Sequence, residues 1–180
     1  MKLPRDATLD DLYELDEKAE LVDGQISLMT PTGFLPHRAA LNVTFSLRKL
    51  EAERAGYAIG DGAAFVVDLP NRKSFSPDAA WYTGEPTGGR FMQGAPAFAV
   101  EVRSEGDYGL RAEREMMEKR ADYFAAGTQV VWDVDVLREG VVRVYRADDP
   151  ERSVVYHRGE TAEAEPAVPG WRIAVDELWL

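Results

Sequence analysis

The sequence predicts an α/β fold in which helices pack on a mixed α+β sheet, and three observations carry that expectation. The stretch from Phe98 to Ser104 is apolar on both of its alternating faces, the pattern of a strand covered on both sides. A helical spacing from Leu110 to Ala126 follows it, and Thr128 to Val134 then reads as another strand. Strand, helix, strand is a crossover unit, for which parallel pairing with a right-handed connection is the usual outcome. Both ends of the chain add antiparallel signals: Asp23-Gly24 lies between two apolar runs, and 141–145 and 153–156 alternate as strands do.

Taken in order, Thr8-Leu9-Asp10-Asp11 has the form of an N-cap with an acid three residues on, so a short amphipathic helix opens the chain. Residues 19–22 and 25–29 flank Asp23-Gly24, whose types suit the positive φ angles of a tight hairpin turn. Thr30-Pro31-Thr32-Gly33 breaks the second strand, and Pro36 precedes a helix expected to run to about Ala55. Strands are expected at 57–60, 63–68 and 77–82, with a turn at 69–73. The Gly- and Pro-rich piece 83–96 reads as a surface loop leading into the strand that carries Glu101. Gly127 is placed to end the following helix as its C′ residue. Residues 166–180 form a tail anchored by Leu178, Trp179 and Leu180.

The chain has 180 residues, 45% of them hydrophobic, enough for one core, and a single domain over 1–180 is expected. Cysteine is absent, which excludes a disulfide framework and a Cys-based zinc site and fits a cytoplasmic location. The N-terminal residues hold no apolar signal core, and no apolar run approaches about eighteen residues, so neither secretion nor membrane insertion is expected. A net charge of −11 argues against tight, non-specific binding to nucleic acid through phosphates. It leaves room for a metal-dependent phosphodiesterase, because a hard divalent cation needs acidic ligands.

Glu101 sits where water is scarce, and a buried carboxylate needs a cation, a proton or a metal. Alternation puts Asp78, Ala80 and Tyr82 on one face of their strand, so a neighbouring Glu101 strand would bring two carboxylates together as oxygen ligands for Mg²⁺ or Mn²⁺. The alternative is structural: an Asp that starts a strand and a Glu paired with an Arg. Lys119 shares a helical stripe with Met116 and Tyr123, from which it can orient water and offset charge on a phosphate, or else snorkel to solvent. His37, near a helix start, reads as a structural residue at the edge of a site, and His157 as a surface strand residue. Neither belongs to a zinc pattern.

These residues together resemble a known family. The run Glu20 to Gly24, His37, Pro77-Asp78, Val100 to Ser104, Lys119 with Tyr123, Gly127, Val131 to Asp135, the closing Pro169-Gly170-Trp171 and Val175 to Leu178 are similar to the Uma2 family of restriction-endonuclease-like proteins. That family lies in the PD-(D/E)xK nuclease superfamily. The resemblance implies a restriction-endonuclease-like core with an N-terminal helix and hairpin and a C-terminal antiparallel extension. It also implies Asp78 and Glu101 as metal ligands, Lys119 as catalytic lysine and Glu20 as a further acidic member of the site. Arg103 stands where the superfamily motif has Lys, and in this family's pattern the lysine lies on the following helix, at Lys119. The function so implied is Mg²⁺- or Mn²⁺-dependent endonuclease cleavage of DNA. The competing expectation is a non-catalytic, homodimeric binding module that keeps the fold and the acidic pocket. A general small-molecule hydrolase finds no support, because neither a nucleophile elbow nor a phosphate-cradling Gly loop is present.

Overall fold

The computed structural model describes residues 6–179. The N-terminal segment 1–5 and Leu180, to which two of the expectations above refer, lie outside the described residues. Helix α1 (Leu9–Tyr13) is capped as its sequence implies: the Asp11 carboxylate accepts the Thr8 N–H at 2.7 Å, and the Thr8 hydroxyl accepts the Asp11 N–H. Strands β1 (Ala19–Val22) and β2 (Gln25–Leu28) form the expected hairpin, with φ of 49° at Asp23 and 70° at Gly24.

Helix α2 (Phe34–Arg48) begins before Pro36, which falls in the first turn, where its missing N–H has no intrahelical partner to lose. It also ends well short of Ala55. Residues 52–55 are exposed, so continuing the helix would bury no apolar face, and packing is what sustains most helices of this length. The chain turns instead, and Gly56, at φ 149°, passes against the Trp81 ring, where an added Cβ would approach to 2.4 Å.

The central sheet comprises β3 (Tyr57–Gly60), β6 (Ala79–Tyr82), β8 (Phe98–Val102), β9 (Val130–Asp135), β10 (Val141–Arg146) and β11 (Asp149–His157), in the order β11-β10-β9-β8-β6-β3. The pairing of β8 with β9 is parallel and the others are antiparallel, so the mixed sheet and its crossover are as expected. The crossover helix, α3 (Leu110–Ala125), is followed by Gly127 at φ 106°. On one face, Ala39, Val43 and Leu47 of α2 cover Trp81, Phe98, Val100 and Trp132. On the other, Ala80, Tyr82, Ala99 and Val131 meet Phe65, Phe75 and Tyr123.

Three segments differ from expectation. Of 63–68 only β4 (Phe65–Val66) is strand, and it pairs outside the central sheet with β5 (Ser74–Phe75) and β7 (Met92–Gln93). The last of these lies in the segment read as loop, and a two-residue strand is too short to show any period. The segment read as a tail from 166 instead supplies β13 (Arg172–Ala174), which pairs with β12 (Thr161–Glu163) ahead of it, and then a 3₁₀ turn at Val175–Trp179 that buries Leu178. Among the described residues no helix is long and apolar enough to cross a membrane.

Candidate active site

Asp78 lies one residue before β6 and is tied to β8 twice. Its N–H donates to the Val100 carbonyl at 3.0 Å, and its Oδ2 accepts the Val102 N–H at 2.8 Å. The carboxylate therefore sits beside Glu101, and alternation along both strands puts the two on the face that α3 crosses. From α3, Lys119 and Tyr123 are one turn apart and both reach Glu101: the Tyr123 hydroxyl donates to its Oε1 at 2.6 Å and the Lys119 ammonium lies 2.8 Å from the same oxygen. Lys119 is also 2.9 Å from Oε1 of Glu20, which arrives on β1.

Glu20 is anchored in turn. Its Oε1 accepts the Ser76 N–H at 2.8 Å and its Oε2 meets Arg72 Nη1 at 2.6 Å, while Arg72 Nε donates to Asp122 at 2.8 Å. A groove of about 1310 Å³ opens over this face, and Glu20, Asp78, Glu101, Lys119 and Tyr123 line it.

Burial raises the pKa of Glu101 most; Lys119 opposes it, Asp78 and Glu20 add to it, and the result is pushed up to about 7. Burial acts against the Lys119 charge too, but Glu101 and Glu20 outweigh it and hold that ammonium above its usual range. Glu20, despite burial, is held low by Lys119 and Arg72. Burial and then Glu101 raise the Tyr123 phenol well above the ordinary value, so it serves as a neutral donor.

A stability consequence follows from Glu101. The unfolded chain loses this proton near the ordinary 4.5 and the fold near 7, so the favourable contribution is complete below 4.5 and lost as pH rises to 7. Without metal, wild type should lose stability relative to Glu101→Gln across that window, by on the order of 3 kcal/mol. Thermal melts of both proteins in chelator at a series of pH values measure the difference; parallel curves would contradict the assignment.

Arg103 is turned to another task. Its guanidinium binds Asp133 in a fork, Nε to Oδ1 at 2.7 Å and Nη2 to Oδ2 at 2.6 Å, and also holds Glu113. Asp133 is the residue of β9 paired with Glu101, so Arg103 neutralises the acid beside the site. His37 is exposed at the lining of the groove, with its N–H on the Gly33 carbonyl, and His157 ends β11 on the surface.

The sequence reading missed Lys18, Asp61, Arg72, Asp122 and Asp133. Lys18 was accessible to it, since two residues before Glu20 on an extended chain puts both on one face. Asp133 carried the same signal in its period of two from Val131. Arg72, in a turn, carried none, and only its burial beneath Glu20 and Asp122 reveals it.

A family model, Uma2, described as "Putative restriction endonuclease", matches residues 6–176. The chain belongs to the Uma2 family. Among solved structures, the chain is similar to "a putative nuclease belonging to DUF820 from Anabaena variabilis ATCC 29413", with a TM-score of 0.74 and 17% identity over 96% of this chain and 97% of that one. At that identity the likeness establishes the fold, which is the nuclease-like fold the resemblance implied. Curated proteins give no match.

Proposed function

We propose that this Uma2-family protein is a Mg²⁺- or Mn²⁺-dependent endonuclease that hydrolyses phosphodiester bonds in DNA, with Asp78 and Glu101 as metal ligands. The observation that carries the proposal is the meeting of Asp78, Glu101 and Glu20 with the Lys119 ammonium on one face of the sheet, inside a groove. The residues suit a hard divalent cation: beside the effect of burial, the Asp78 and Glu20 carboxylates also raise the Glu101 pKa, which marks negative charge converging on that side chain. Among the described residues no three His, Asp or Glu side chains form a metal cage. Mg²⁺ does not need one, because it keeps several waters and takes one or two carboxylates plus phosphate oxygens.

When bound, such an ion supplies a polarised phosphate and a water of lowered pKa. The chain's own residues do the rest. Tyr123 and Lys119 both hold Oε1 of Glu101, which fixes the carboxylate and leaves Oε2 with no donor among the described residues. Lys119, held charged by Glu101 and Glu20, is not a base at neutral pH; it orients water and offsets charge developing on the phosphate. Glu20 keeps that ammonium in place.

Purified protein with Mg²⁺ or Mn²⁺ should therefore cleave DNA, and the ion should raise its melting temperature by mass action. Asp78→Asn and Glu101→Gln should each lose the metal-induced rise and lower cleavage by about 100-fold or more. Folded protein that binds the ion yet cleaves neither DNA nor RNA across metals and salt would favour the non-catalytic binding module, which the acidic composition also suits.

A further inference from the structure

Resting on the metal-dependent reading of this site, we propose that Lys18 is a tethered cation that competes with the divalent ion for Asp78 and so sets how tightly the site binds metal. The Lys18 ammonium lies 3.0 Å from Oδ1 of Asp78 and 2.5 Å from Oδ1 of Asp61. It is largely enclosed, with 19% of its side chain accessible, and its backbone is fixed where its carbonyl accepts the Met29 N–H at 2.9 Å, at the open end of the β1–β2 hairpin.

The two acids proposed to hold metal are not equally available. On Glu101, Lys119 and Tyr123 both occupy Oε1, and among the described residues no donor is bonded to Oε2. On Asp78, Oδ2 already accepts the Val102 N–H, so the oxygen without a backbone donor is Oδ1, the one Lys18 holds. A divalent ion and an ammonium on the same oxygen would repel at short range. Asp61 gives the ammonium a second acceptor on the spot. Its carboxylate is fixed through the Gly62 N–H at 2.8 Å, so Lys18 can yield Asp78 to an incoming ion and stay paired with Asp61. Lys18 thus acts on metal affinity as a positioning residue, with no contact to the reacting atoms required.

Calorimetric titration of Mg²⁺ and Mn²⁺ into wild type and variants tests this. Lys18→Met should bind the ion about tenfold more tightly, Lys18→Arg should stay close to wild type, and Asp61→Asn, which leaves Lys18 only Asp78, should bind more weakly. In chelator Lys18→Met should melt lower than wild type and show the larger rise on adding metal, an effect a purely structural bridge would not produce. Should Lys18→Met fail to fold, Lys18→Gln and Asp61→Asn carry the same comparison. Wild type that binds metal, with folded Lys18 variants that bind no more tightly, overturns the role of Lys18 alone. Absence of binding in wild type and every variant overturns both this role and the metal-dependent reading beneath it.

Discussion

Lys119→Met should lower the DNA cleavage rate by about 10³-fold while the protein stays folded and binds Mg²⁺ no more weakly than wild type. The asymmetry follows from what the ammonium touches. It lies on Glu101 Oε1 and Glu20 Oε1 and is assigned to water and phosphate, so its loss removes stabilisation that appears only as charge develops in the transition state. Taking a cation out of an acidic pocket removes its repulsion for another cation, and titrating the ion at alkaline pH keeps Glu101 ionised once Lys119 no longer opposes its raised pKa. The carboxylate variants behave oppositely, losing metal and cleavage together. Single-turnover cleavage at saturating metal, with titration of the ion into the same preparations, separates the two outcomes. A Lys119→Met protein that cleaves within tenfold of wild type would return Lys119 to a structural role as the bridge between two acids.

Arg103→Met should cost about 3 kcal/mol or more of stability, because it strands the buried Asp133. Both partners are nearly inaccessible, with 6% of the Arg103 side chain and 5% of the Asp133 side chain exposed, whereas Glu113 is half exposed and can turn to water. Arg103→Lys keeps the charge but loses the planar fork, so it should fall between wild type and Arg103→Met. Nor should Arg103→Lys restore cleavage to Lys119→Met, although it recreates the superfamily's motif in sequence, because the side chain at 103 is directed to Asp133 and not to Glu101. Urea melts of the three proteins measure the first claim and cleavage by the double variant the second. A loss below about 1 kcal/mol for Arg103→Met would mean that water reaches Asp133.

The contrast between Arg103 and Lys119 shows which parts of the site were legible from sequence. Period two along 78–82 gave the face of Asp78, which a neighbouring Glu101 strand would share, and the helical stripe let Lys119 with Tyr123 face inward or snorkel; the structure pairs the two strands and brings the four side chains together. These are local regularities that a chain displays without reference to its fold. Arg72 and Asp61 lie in turns, where no period operates, and they join the site only because the fold brings the 69–73 turn under β1 and the end of β3 beside Lys18. The same division runs through the fold. Long elements with repeated spacing were legible, whereas β7, β12 and β13, each of two or three residues, are too short to show a period and exist through their pairing, β7 with the distant β4 and β12 with β13.

Glu20, Asp78, Glu101 and Lys119 come from a peripheral hairpin, the approach to one central strand, another central strand and the crossover helix, so no single helix, strand or hairpin holds more than one of them. During synthesis the three acids leave the ribosome before the lysine does. A nascent or half-folded chain thus carries the acids at sites far apart in an expanded coil, without the pocket that would let them act in concert. In such an arrangement the proposed hydrolytic site comes into being only with the completed tertiary structure, since no one element brings one of these acids and the lysine together.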